Sequence, residues 1–146
     1  MSERVPPPRR ESYPWHVPIT TRWMDNDVYG HVNNVVYYAF FDTVINRYLI
    51  EKGGLDIHEG AILGLAVETS CTFAGSVRFP DTIEAGLRVA HLGRSSVRYE
   101  VGIFVAGDPV ARAHGSFTHV FVDRATRRPA PIEGPLRVAL ETIHML

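Results

Sequence analysis

The chain has 146 residues, 45% hydrophobic and 21% charged, with 12 Gly, 10 Pro and a formal net charge of −1. Such a composition suits one domain that buries roughly 68–70% of its unfolded surface without disulfide staples, and a single cysteine, Cys71, excludes an intramolecular disulfide and fits a reducing compartment. The balanced charge argues against a dedicated nucleic-acid binder, and without an apolar run of about 18 residues or a signal-peptide core the expectation is a soluble, cytoplasmic domain that neither crosses nor coats a membrane.

Residues 1–14 carry Pro6, Pro7, Pro8 and Pro14 among Arg4, Arg9 and Arg10, a pattern expected of a flexible N-terminal arm. Residues 15–146 then read as a single domain. From His16 to Met24, Val17, Ile19, Thr21 and Trp23 alternate with more polar neighbours, which predicts a strand. Asp25 to Asn34 is a polar connection containing Gly30. Val35 to Lys52 is the long helical candidate, capped by Asn33 or Asn34 and ended by Gly53-Gly54. Its first seven residues are apolar or aromatic all round, so that end is expected to be buried on every side. A polar stripe follows at Asp42, Thr43, Asn46, Arg47 and Glu51.

Strands and turns make up most of the remainder. Residues 61–73 form an apolar run; Ile83 to Val89 and Val97 to Val105 alternate at period two around a hairpin turn at Gly93-Arg94; residues 110–122 supply a last strand. Asp123 to Pro131 is a basic loop, and the tail is a short helix or coil. One helix against an antiparallel sheet of about five strands is an α+β layering. One sheet covers a helix on one side only, so a symmetric oligomer is expected to cover the rest.

Most metal and phosphate chemistries find no support. His114 and His119 are five residues apart in a strand and point to opposite faces, and Cys71 has no partner cysteine, so no metal is expected. Asp25 to Gly30 starts like a calcium loop, but Tyr29 and Val36 stand where oxygen ligands are needed. No Gly-x-Ser-x-Gly elbow and no Gly-rich phosphate loop occurs. What remains is the connection into the helix. A helix N-terminus presents unpaired N–H groups that stabilise charge on a carbonyl oxygen, and a carboxylate beside it completes the minimum apparatus for acyl hydrolysis. Asp25, Asp27 and Asn33 are equally the residue types that build turns and caps.

The stretch Arg22-Trp23-Met24-Asp25-Asn26-Asp27-Val28-Tyr29-Gly30-His31-Val32-Asn33-Asn34-Val35-Val36-Tyr37 resembles the hallmark of the hotdog-fold acyl-CoA thioesterases, the 4-hydroxybenzoyl-CoA thioesterase-like group. Their pattern is Asp-x-Asp-x-x-Gly-His-x-Asn-Asn-x-x-Tyr leading into a central helix. Leu92 to Ser96 and Val120 to Asp123, with Arg128, Pro129 and Pro131, resemble that group as well. The resemblance implies a hotdog fold, a long central helix wrapped by the sheet, and hydrolysis of an acyl-CoA to a carboxylic acid and free coenzyme A.

By the same resemblance Asp27 is the catalytic carboxylate, acting as nucleophile or general base, and the Asn34 N–H polarises the thioester carbonyl. Asn33 and His31 shape the loop or orient water; His31 either hydrogen-bonds Asp27 or the leaving thiol, or simply caps the turn. Tyr37 packs against the loop or the acyl pocket, and the acyl group runs along Tyr37, Tyr38, Phe40 and Phe41. Lys52 is the only lysine beside fourteen arginines, and Arg suits phosphate. The resemblance implies that the site lies across a dimer interface, with Arg94 and Ser95, or Arg127 and Arg128, on the coenzyme A phosphates. The expected assembly is a homodimer or a homotetramer. No cofactor is expected beyond the coenzyme A of the substrate. A hydratase or dehydratase on the same scaffold, or a non-catalytic acyl-thioester binding protein, is the alternative. Val28 and Tyr29 depart from the small residues several members carry there.

Overall fold

Residues 5–145 are described in the computed structural model of the chain. In chain order they form β1 (Trp15–Thr20), the long helix α1 (Asn34–Glu51), β2 (Ile62–Phe73), β3 (Thr82–Leu92), β4 (Ser96–Val105), β5 (Ala113–Asp123) and the short helix α2 (Gly134–Thr142). All five strands join one antiparallel sheet in the order β1-β3-β4-β5-β2. This is the α+β hotdog layering expected from the sequence, with α1 against one face of the sheet.

Period-two alternation sets that face. Ile83, Ala85, Leu87 and Val89 of β3 pair in register with Val105, Ile103, Val101 and Tyr99 of β4, and they meet Phe41, Val44, Ile45 and Leu49 of α1 in the core. Each fully buried Val, Leu, Ile or Phe among them stabilises the fold by about 1.5–3 kcal/mol. At the helix start the Asn33 side chain accepts a hydrogen bond from the Val35 N–H at 3.1 Å, and at its end Gly54 takes a left-handed φ of 67°.

Three expectations are corrected. The start of α1 is not buried all round: Val35 is 64% exposed, and Ala39, Asp42 and Thr43 continue the open stripe. A single sheet covers only one side of a helix, so the far side stays uncovered. Second, the first strand stops at Thr20, and Trp23–Asp25 is a 3-10 turn instead. Third, the described part of the expected arm is docked from Pro8 onward. The Pro8 carbonyl accepts from the Ala111 N–H at 2.9 Å, and Tyr13 is buried with Phe104 and Ala111 on the outer face of the sheet. Gly86 and Gly102, paired in register, make that possible, because a Cβ on either would lie 2.8 or 2.7 Å from Tyr13. Residues 1–4 of the expected arm, and Leu146, lie outside the described residues.

The sheet has two unlike edges. β1 is six residues long and carries Pro18; β2 is twelve residues long, pairs only with β5, and has no buried residue. A bulge between Ala66 and Glu68 changes which β2 side chains face α1.

Candidate active site

The segment between β1 and α1 is tied down in its first half by a buried carboxylate. Asp25 is 1% exposed; one oxygen accepts from the Arg22 N–H at 2.7 Å and the other from the Arg22 guanidinium at 2.9 and 3.0 Å. The Asp25 carbonyl accepts from the Asn33 N–H at 2.8 Å. Asn26 Oδ1 accepts from the Phe79 N–H at 3.0 Å, and the Val32 N–H donates to the Val77 carbonyl at 2.7 Å. These bonds fix the segment to the connection between β2 and β3, so its geometry is set by the scaffold rather than by the loop alone.

Asp27 opens the second half. Its N–H donates to the His31 carbonyl at 2.9 Å, its own carbonyl accepts from the Gly30 N–H at 3.1 Å, and Gly30 supplies the left-handed φ of 81° the turn requires. Asp27 Oδ1 accepts from the Tyr29 N–H at 2.8 Å, an Asx turn. Among the described residues Oδ2 has no hydrogen-bond partner, so one carboxylate oxygen is fixed and the other is free. Four residues past Gly30 the helix begins. Asn33 caps it, and the N–H of Asn34, the first helical residue, has no acceptor among the described residues.

Asp27, Asn34, His31, Asn33 and Tyr37 line one open groove of about 460 Å³. The structure thus gathers five of the expected site residues. His31 is exposed at the rim and contributes its carbonyl to the turn, while its ring makes no hydrogen bond with Asp27. Tyr37 is buried edge-on against Phe73, with ring centroids 5.1 Å apart, and burial, followed by the nearby Cys71, pushes its hydroxyl up. Burial also pushes the Cys71 thiol up to about 11, which keeps it from serving as a thiolate nucleophile near neutral pH. Phe40 and Phe41 are consumed by the core, so these two expected acyl contacts offer no free surface.

Sequence reasoning missed the far wall. Phe73, Gly75 and Ser76 close the groove, and Arg112 holds that wall by donating to the Ser76 carbonyl at 2.8 Å while its own carbonyl accepts from the Ala74 and Gly75 N–H groups. Nothing local to the motif signals them. They arrive only because Phe73 pairs with Ala113 at the end of β2.

Arg94 and Ser95 lie elsewhere in the chain. They occupy the β3–β4 turn, where their carbonyls accept from the Ile132 and Phe121 N–H groups at 2.8 and 2.7 Å. The registers place that turn near Val120 and Ile62, at the opposite end of the sheet from Phe73, about 24 Å away at ~3.4 Å per residue along β4. Arg127 and Arg128 follow β5 at that same end. Among the described residues no three His, Cys, Asp or Glu side chains group as metal ligands, and no helix is long and apolar enough to cross a membrane.

The profile of the thioesterase superfamily matches residues 29–112, more than half of the chain. The chain belongs to the thioesterase superfamily. Thioester hydrolysis is the chemistry that membership carries, and the match takes in Asn33, Asn34, Tyr37, Arg94 and Ser95 but begins two residues past Asp27. Among solved structures, the PA5185 protein from Pseudomonas aeruginosa is 56% identical, with a TM-score of 0.94 over 95% of this chain and 97% of its own. A thioesterase from Thermus thermophilus, solved with coenzyme A and Zn, is 26% identical, with a TM-score of 0.75 over 91% of this chain and 96% of its own. A 1,4-dihydroxy-2-naphthoyl-CoA thioesterase from Synechocystis shares the fold at 17% identity, with a TM-score of 0.77 over 86% of this chain and 93% of its own. No curated protein matches the sequence.

Proposed function

We propose that this thioesterase acts on acyl-CoA esters, releasing a carboxylic acid and free coenzyme A, with Asp27 and the Asn34 N–H as its catalytic pair. The observation that carries the reading is their shared groove: Asp27 and Asn34 line the same space, and among the described residues one Asp27 carboxylate oxygen and the Asn34 N–H are without a hydrogen-bond partner. The coenzyme A held by the Thermus thioesterase supports the choice of thiol.

The thioester carbonyl oxygen accepts from the Asn34 N–H, where the helix N-terminus also contributes partial positive charge. The free Asp27 oxygen then attacks the carbonyl carbon, giving a mixed anhydride that water hydrolyses, or takes a proton from a water that attacks it. Either way the carbon–sulfur bond breaks as the oxyanion collapses and a thiolate leaves; it takes its proton from Asp27 in the general-base route and from solvent in the anhydride route, where the attacking water restores the Asp27 carboxylate. Fixing Oδ1 in the turn favours both routes, because it aims Oδ2 without further ordering.

The long uncovered edge of β2 supports a homodimer. Antiparallel pairing of β2 with its twofold mate would bring the Ile62 end of one subunit beside the Phe73 end of the other. The β3–β4 turn, with Arg94 and Ser95, and the basic loop, with Arg127 and Arg128, would then face the partner's Asp27 groove and supply cations for the coenzyme A phosphates. The low charge and the single protonated thiol fit a cytoplasmic setting.

A thiol-release assay over a panel of acyl-CoA esters tests the reading. Release with at least one ester, lost on Asp27→Asn, is the expected result. Binding without release at any acyl group, or hydration of an enoyl-CoA in its place, would overturn it. Sedimentation of the free protein at the dimer mass is expected alongside.

A further inference from the structure

Much of the far wall of the Asp27 groove belongs to no strand or helix. β2 ends at Phe73, and Gly75 and Ser76 run on as exposed, irregular chain before β3 begins at Thr82. On one side of Ser76 the Ala74 and Gly75 N–H groups donate to the Arg112 carbonyl at 2.9 and 2.8 Å; on the other the Val77 carbonyl accepts from the Val32 N–H. Ser76 itself makes one hydrogen bond among the described residues, and a side chain supplies it: Arg112 Nη1 donates to the Ser76 carbonyl at 2.8 Å.

Arg112 is held in turn. Its Nε donates to Asp108 Oδ2 at 3.1 Å, while Asp108 Oδ1 accepts from the Val110 N–H at 3.0 Å, so the guanidinium is oriented from the turn between β4 and β5. The Val110 N–H, followed by the guanidinium, holds the Asp108 carboxyl below the usual carboxylate range. A planar fork bonded through Nε to one group and through Nη1 to another fixes their separation, which the point charge of a lysine would not. Gly75 makes room for the stem, since a Cβ there would lie 2.8 Å from Arg112 Cδ. The two side chains are 36% and 32% exposed, and an ion pair that open adds little to stability. What it sets is a position.

We infer that Arg112, oriented by Asp108, is a positioning residue of the thioesterase: it holds Ser76 in the far wall of the groove, so that substrate meets a wall already formed. The inference rests on the proposed reading of that groove and deepens it. Asp27 and the start of α1 are fixed by hydrogen bonds of their own, so loosening the wall leaves the catalytic pair in place. A loose wall has to be ordered each time substrate binds. That weakens binding of substrate and transition state alike, which raises KM and leaves kcat unchanged.

The test is KM and kcat for the acyl-CoA ester that the wild type hydrolyses fastest, measured in Arg112→Met, Asp108→Asn and the double variant. Met keeps an apolar stem over Gly75, and Asn keeps an acceptor for the Val110 N–H, so each change removes the clasp and little else. Both single variants are expected to raise KM by about fivefold with kcat within about twofold of the wild type. The double variant should be no worse than Arg112→Met, because the two changes break one link. The opposite charges of the pair sharpen the test. If Arg112 acted as a cation on the coenzyme A phosphates, Asp108→Asn would lower KM, and that result overturns the inference. An unchanged KM in either single variant, whatever the melting temperature does, assigns a purely structural role and overturns it too, as does a fall in kcat with KM fixed. Asp108→Asn, a change at an exposed turn, decides the case alone if Arg112→Met fails to fold. Failure of the parent reading looks different: the wild type releases no thiol from any ester, or Asp27→Asn hydrolyses them all normally.

Discussion

The segment joining β1 to α1 contains two carboxylates two residues apart with opposite employments. Around Asp25 every oxygen is spoken for: Arg22 supplies three donors, the side chain is buried, and the residue locks the corner to the helix cap. Around Asp27 one oxygen is left over, the side chain is half-buried, and the groove with the Asn34 amide lies alongside. A satisfied carboxylate holds a structure in place; an incompletely satisfied one, held in a fixed direction, is available for chemistry. On the proposed reading the first half of the segment is scaffold and the second half is machinery.

That division breaks if the two aspartates respond alike. Asp27→Asn should lower thioester turnover at least about a hundredfold, the scale of losing a positioned base or nucleophile, with the melting temperature unmoved. The histidines divide in the same way, His31 exposed on the turn and His119 buried against the Tyr99 hydroxyl at 3.0 Å among Phe117 and Phe121. Burial pushes His119 down to about 4 from the ordinary 6.5, so the folded chain keeps it neutral where the unfolded chain protonates. Stability should therefore fall by up to about 3 kcal/mol as pH drops from 6.5 towards 4. Denaturant titrations at pH 7 and pH 4.5 measure it, and His119→Phe should flatten the dependence while His31→Phe leaves it in place.

Asp25→Asn should produce the complement of Asp27→Asn. Losing the charge under the Arg22 fork is expected to cost about 1–3 kcal/mol in chemical denaturation, with turnover retained in whatever fraction stays folded. Gly30→Ala carries the smallest effect, about 1–2 kcal/mol of strain at a φ of 81°, and because it sits within the turn that aims Asp27 it should also lower kcat.

Much of the fold could be read before any coordinates, for reasons that attach to particular residues. The alternation from Val97 to Val105 is local and strong, as are the Asn33 cap and the Gly53-Gly54 stop, so β4 and α1 emerge with nearly correct bounds. Other features needed the third dimension. Trp23 continues the β1 alternation in sequence, yet Arg22 and Asp25 pair across it and turn the chain. Tyr13 looks like part of a proline-rich arm until Gly86 and Gly102 come together to receive it. Gly102 and Phe104 occupy the polar phase of β4 and are buried for the same reason. At the site, the motif supplied the near wall from Asp27 to Tyr37. The far wall of Phe73, Gly75 and Ser76 is about forty residues on, and only the pairing of β2 with β5 brings it across.

The central claim is that the thioester carbonyl sits against the first amide of α1 beside Asp27. Amide NMR on the Asp27→Asn protein, whose slowed turnover lets an intact acyl-CoA remain bound, tests this directly. A downfield shift of the Asn34 amide proton on binding is expected, as the carbonyl accepts its hydrogen bond. An Asn34 resonance that stays put while amides elsewhere in the chain respond to the ligand would contradict it.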